Sequence, residues 1–131
     1  MKATFTTPTK ESFTSTHRRE DRGFQKEYAA LAIQNGEIHE FAVLRVYGTE
    51  SANSVCFWMN GKSVSGSGKA GGYGYHKPST AANTAFKRAG FQFDEHIEGR
   101  GDDAIKRALQ AAIECLYGIP QESIYIHEAH A

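Results

Sequence analysis

The chain has 131 residues, 40% of them hydrophobic and 23% charged, with 15 Lys+Arg balanced by 15 Asp+Glu. That length supports one domain with its own core, burying roughly two-thirds of the surface its unfolded form exposes. Zero formal net charge removes the bulk attraction expected of a protein built around nucleic acid or an acidic membrane. No run approaches the ~18 apolar residues a membrane span needs. Residues 1–11 are polar and Thr-rich, without the apolar segment of a secretory signal, so a cytoplasmic protein is expected. Cys56 and Cys115 fall in different elements, without disulfide-framework or zinc spacing, and read as buried thiols in a reducing compartment. Neither a metal nor a cofactor is expected.

Residues 1–23 are rich in Thr, Ser and charge, and predict a first strand or flexible arm over residues 4–16 followed by a basic turn at His17-Arg18-Arg19. Asn35-Gly36 is a two-residue hairpin turn, flanked by strands at 28–34 and 37–47. Alternation in the second arm puts Phe41, Val43 and Tyr47 on one face and Ala42, Leu44 and Val46 on the other. Further strands are predicted over 54–60 and, past Asn60-Gly61, over 62–65. The period then becomes helical. Pro78 opens a helix with Ala82, Phe86 and Ala89 on one stripe, and Gly90 closes it. Residues 91–96 read as a connecting strand. A second helix runs from Asp102 or Asp103 to about Tyr117 on a stripe of Ile105, Ala108, Leu109, Ala112, Ile113 and Leu116. A last strand is predicted over 123–128. The fold class is therefore α+β: an antiparallel meander carrying two helices on one face, in the order strands, helix, helix, strand.

Five of the chain's 13 glycines lie in the nine residues 66–74, between a strand and a helix start. Glycines let backbone N–H groups turn inward into an anion-binding nest, and a helix N-terminus adds unpaired N–H groups and partial positive charge. The candidate ligand-binding residues are Lys69, Gly71, Gly72, Tyr73, Gly74, Tyr75, His76, Lys77, Ser79 and Thr80. Backbone at Gly71, Gly72 and Gly74 would cradle phosphate and Tyr73 and Tyr75 would stack on a base. Lys69, His76 and Lys77 would neutralise charge, and Ser79 or Thr80 would cap the helix or donate to phosphate. A phosphate-binding P-loop is excluded, because Ser63 stands where its first glycine belongs and Ala70 follows Lys69. The same segment also reads as a plain hairpin tip, with Tyr73 and Tyr75 on an edge strand. The second helix start, near Arg100 and Arg107, is a further candidate anion site, although Asp102 and Asp103 compete for its dipole.

No nucleophile elbow, Cys/His pair or acid pair points to catalysis. His76 as a general acid or base in a small hydrolase or transferase is the enzymatic alternative. Residues 66–82, continuing through Ala85, Ala89-Gly90 and Gly99-x-Gly101-Asp102-x-Ala104-Ile105, resemble small uncharacterised proteins carried by phages, prophages and plasmids. The likeness spans about residues 65–116 and brings no activity with it. It implies a mobile-element accessory protein, a class in which some members sequester nucleotide signals within symmetric oligomers to blunt host defence. A nucleotide-like ligand, a homo-oligomer and a host defence protein as partner are the corresponding expectations. An interaction module that touches protein or nucleic acid through His17-Arg18-Arg19 and Lys69 is the alternative.

Overall fold

Asn35 and Gly36 adopt φ of 54° and 80°, the left-handed pair that reverses a tight hairpin. They join β2 (Lys26–Gln34) to β3 (Glu37–Thr49) in a computed structural model that describes residues 1–6, 24–49, 52–59, 62–65 and 77–130. The other elements are β1 (Ala3–Phe5), β4 (Ala52–Met59), β5 (Lys62–Ser65), α1 (Pro78–Arg88), β6 (Phe91–Phe93), α2 (Asp102–Tyr117) and β7 (Tyr125–His130). Five strands form one antiparallel sheet in the order β5-β4-β3-β2-β7, and β1 pairs with β6 in a separate two-stranded sheet. This is the α+β fold expected from the period switches.

Both helices cover one face of the large sheet, α1 over β4 and β5 and α2 over β2, β3 and β7, with β1 packed against α2 as well. Tyr28, Ala30, Leu44, Val46, Val55 and Phe57 meet Phe86, Ile105, Leu109 and Ile113 in the main core. Ala29, Val43, Cys56 and Trp58, with Leu31 and Tyr47 beside them, cluster separately, on the sheet's other side. Phe41 departs from the expected alternation and joins the main core with Ala42. The cause is a bulge: Ala30 faces Ala42 but Leu31 faces Glu40, so Phe41 is the extra residue and its side chain crosses to the helix side.

The N-terminal expectation is only partly met. β1 ends at Phe5 and leaves the main sheet to pair with β6, where the Phe5 and Phe91 rings lie 5.2 Å apart. Gly90, at φ 104°, allows this approach. The Thr6 N–H donates to the Gly90 carbonyl, and a Cβ at Gly90 would collide with the Thr6 carbonyl oxygen. Residues 7–23, including the basic turn, lie outside the described residues. Cys56 is buried as expected, but Cys115 is exposed. It sits in the last stretch of α2, where Leu116 and Tyr117 also reach the surface.

Candidate functional site

After α1 the chain returns through β6 and then runs back beside the first turns of α1. Three hydrogen bonds fix that return. The Gly99 N–H donates to Thr80 Oγ1 at 3.2 Å, Lys77 Nζ to the Gly99 carbonyl at 3.3 Å, and Asn83 Nδ2 to Glu98 Oε1 at 2.7 Å. Ile97, buried in the core, pins the same segment from beneath. The start of α2 is thereby carried to the start of α1. A cavity of about 290 Å³ lies between them, lined by Lys77, Pro78, Ser79, Gly99, Arg100, Gly101, Asp102 and Ile105.

Some features of the cavity would favour an anion, while Asp102 on its lining and Asp103 beside it in the first turn of α2 would oppose one. Among the described residues neither α1 nor α2 has a side-chain cap. Pro78 has no N–H to offer, and the Thr80 and Ala104 N–H groups donate to the Lys77 and Gly101 carbonyls. The Ser79 N–H is therefore the first-turn group of α1 that faces no helix carbonyl. α1 carries no acidic residue in its first turn, so its partial positive charge is not offset there. Lys77 and Arg100 are both exposed at the rim. Ser79, which lines the cavity, is 1% exposed, and its buried Oγ has no hydrogen-bond partner among the described residues, an unused donor beside the cavity. A second cavity of about 510 Å³ shares Arg100, Gly101 and Asp102 with the first and adds Glu95, His96, Asp103, Ala104 and Arg107. Its lining mixes cations with carboxylates, Arg107 pairing with Glu95 at 3.1 Å.

A polar network ties the α2 start to the sheet. Asp102 Oδ1 accepts from the Tyr28 hydroxyl and Oδ2 from Lys26 Nζ at 2.7 Å. Lys26 also reaches Glu128 at 2.8 Å, and Glu128 accepts from Lys106 at 2.6 Å. Burial, then the Asp102 hydrogen bond, pushes the Tyr28 hydroxyl well above its ordinary value of 10.0. Burial would raise the Asp102 carboxyl, but hydrogen bonds from Lys26 and Tyr28 bring it below its ordinary 3.8. Lys106, then Lys26, likewise lowers Glu128 from 4.5. Burial opposes charge on Lys26, yet Asp102 and Glu128 raise it above 10.5.

The signs fix a stability profile. Groups with lowered values stabilise the fold above their ordinary range and lose that contribution as pH falls through the folded value. Groups with raised values contribute below their ordinary range and lose it as pH rises. The melting temperature is therefore expected to be flat between roughly pH 5 and 9.5 and to fall on either side. In a D102N/E128Q variant the acid limb should be distinctly shallower, as a pH series of thermal melts would read.

Of the sequence-predicted residues, Lys77, Ser79 and Thr80 are described, and Lys77 and Ser79 line the cavity. Neither Ser79 nor Thr80 caps α1: its N-cap is Lys77, without a side-chain bond, and Thr80 Oγ1 instead fastens Gly99. Lys69, Gly71, Gly72, Tyr73, Gly74, Tyr75 and His76 lie outside the described residues. Sequence reasoning missed Tyr28, which looked like an ordinary strand residue, and Lys26, which fell before the predicted strand but opens β2, and it did not see that the two helix starts share one cavity. Among the described residues no group of three His, Cys, Asp or Glu is placed to hold a metal ion, and no helix is long and apolar enough to cross a membrane. Compared with known proteins, the chain matches no family model, no curated protein and no solved structure.

Proposed function

We propose that the protein binds a phosphate-bearing small molecule, a nucleotide or nucleotide-derived signal, without turning it over. The observation that carries this reading is the convergence of two uncapped helix starts, Lys77 and Arg100 on one cavity. Phosphate accepts from backbone N–H groups at a helix start, and Arg100 can meet two of its oxygens at once. The adjoining cavity supports a nucleotide over bare phosphate, because the exposed Asp103 carboxylate on its lining is an acceptor for sugar hydroxyls. The glycine–tyrosine segment that leads into Lys77 enters from sequence alone, with Tyr73 and Tyr75 as stacking faces and Lys69 and His76 as further donors.

The resemblance to mobile-element proteins supports an accessory role in which the ligand is sequestered, to the detriment of a host defence that signals with it. A homo-oligomer belongs to the same reading. β7 is an outer strand of the sheet, and Tyr125 on it, like the cross-strand pair Ile33 and Ile38, is well exposed. Such a face is suited to a second copy.

Calorimetric titration with AMP, adenosine and inorganic phosphate tests the ligand class. AMP is expected to bind more tightly than phosphate, and adenosine not at all. Adenosine binding as well as AMP, or neither binding, would overturn the proposal. A mild salt dependence is expected of one buried phosphate, whereas a steep one would favour the nucleic-acid-interaction reading.

A further inference from the structure

Asp102 stands where it should obstruct the anion site. It is the first residue of α2, follows a glycine cap that has no side chain, and lines the cavity beside Lys77, Ser79 and Arg100. A carboxylate there is drawn to the same N–H groups and cations that a phosphate would use. In the structure both of its oxygens are engaged elsewhere, Oδ1 by the Tyr28 hydroxyl and Oδ2 by Lys26 Nζ. The anchors are themselves fixed. Tyr28 is 1% exposed in a core of Ala30, Leu44 and Ile105, where a phenylalanine would satisfy every apolar neighbour. Its hydroxyl reaches out of that core to Asp102, 74 residues away in sequence. Lys26 is braced by Glu128, which is braced by Lys106.

Resting on the ligand reading above, we propose that Tyr28 and Lys26 are positioning residues that hold the Asp102 carboxylate out of the anion site and keep it open to phosphate. Neither lines the cavity, so they act on the ligand only through Asp102. Without the Tyr28 hydroxyl, Oδ1 loses its partner and the carboxylate turns toward Lys77 and Arg100 on the cavity lining. It then competes as an internal anion. The site thus carries its own competitor, restrained chiefly by Tyr28 and Lys26, with Lys106 a more distant partner at 3.8 Å from Oδ2.

The test is a titration with inorganic phosphate, followed by amide chemical shifts, on wild type, Y28F, D102N and Y28F/D102N. Y28F is expected to bind about tenfold more weakly, the equivalent of about 1.4 kcal/mol. D102N is expected to bind at least as tightly as wild type, and the double variant like D102N, because a neutral amide does not compete for cations. Y28F binding as well as wild type overturns the proposal. So does a double variant as weak as Y28F, since the loss then reflects damage to the fold rather than release of the carboxylate. K26M, expected to weaken binding and to be rescued by D102N in the same way, carries the test if Y28F does not fold. Wild type that fails to bind phosphate sinks the ligand reading itself, whereas a binding wild type with an unaffected Y28F sinks only the positioning role.

Discussion

Lys77→Ala combined with Arg100→Ala is expected to lower affinity for a phosphate-bearing ligand by at least about 100-fold, at roughly 1.5–3 kcal/mol for each charge-assisted hydrogen bond removed. The two side chains supply the mobile positive charge of the cavity, and the helix starts supply the fixed part. Both are exposed, and although Lys77→Ala gives up the 3.3 Å bond to the Gly99 carbonyl, Thr80 and Asn83 still hold the same segment, so the fold should tolerate their replacement. The melting temperature should stay within a few degrees of wild type, as expected for surface substitutions. Lys77→Arg should retain most of the binding, because it keeps the charge at the same rim. Calorimetry on the three proteins separates these outcomes, and wild-type affinity in the double alanine variant would move the site elsewhere.

Leu109→Ala is the substitution expected to cost most stability, about 3–5 kcal/mol. Leu109 has no exposed surface and sits on α2 between Ile105 and Ile113, at the centre of the helix–sheet interface. The core cluster to which it belongs is rich in small residues: Ala81, Ala82 and Ala85 on α1, and Ala104, Ala108 and Ala112 on α2. Alanines bring backbones close, but they have no side-chain length with which to fill a void. The cavity left by the truncation should therefore persist, placing the cost in the upper part of the usual range. For a domain with a total stability of about 5–15 kcal/mol this is a large fraction. Urea unfolding of the variant reads it directly. A destabilisation below about 1 kcal/mol would show that α2 does not pack on the sheet through this stripe.

The fold was legible in the sequence where a single period governs an element. The Asn35-Gly36 turn, the Pro78 start of α1 and the stripe from Ile105 to Ile113 each point one way, and the structure follows them. What escaped was tertiary. Nothing local marks Phe41 as a bulge residue, because the extra residue is defined only by the pairing of β3 with β2. Nothing in Ala3-Thr4-Phe5 says that its partner is β6 rather than the main sheet. The site divides in the same way. Lys77 and Ser79 were visible because a helix start beside cations is a local pattern. Arg100 and Gly101 were visible only as a separate helix start. Their meeting depends on the return through β6 and on Gly99 against Thr80. Tyr28 and Asp102 are too distant in sequence for any motif to link them.

The central claim is that one phosphate sits between the starts of α1 and α2, and the most direct test is the amide-shift titration of the wild-type protein with inorganic phosphate. Saturable shifts centred on Lys77, Ser79, Gly99, Arg100 and Gly101 are the predicted result, with little change along the Ile33–Ile38 hairpin, which contributes nothing to the cavity. Shifts that are absent, or that spread over the surface without saturating, would contradict it.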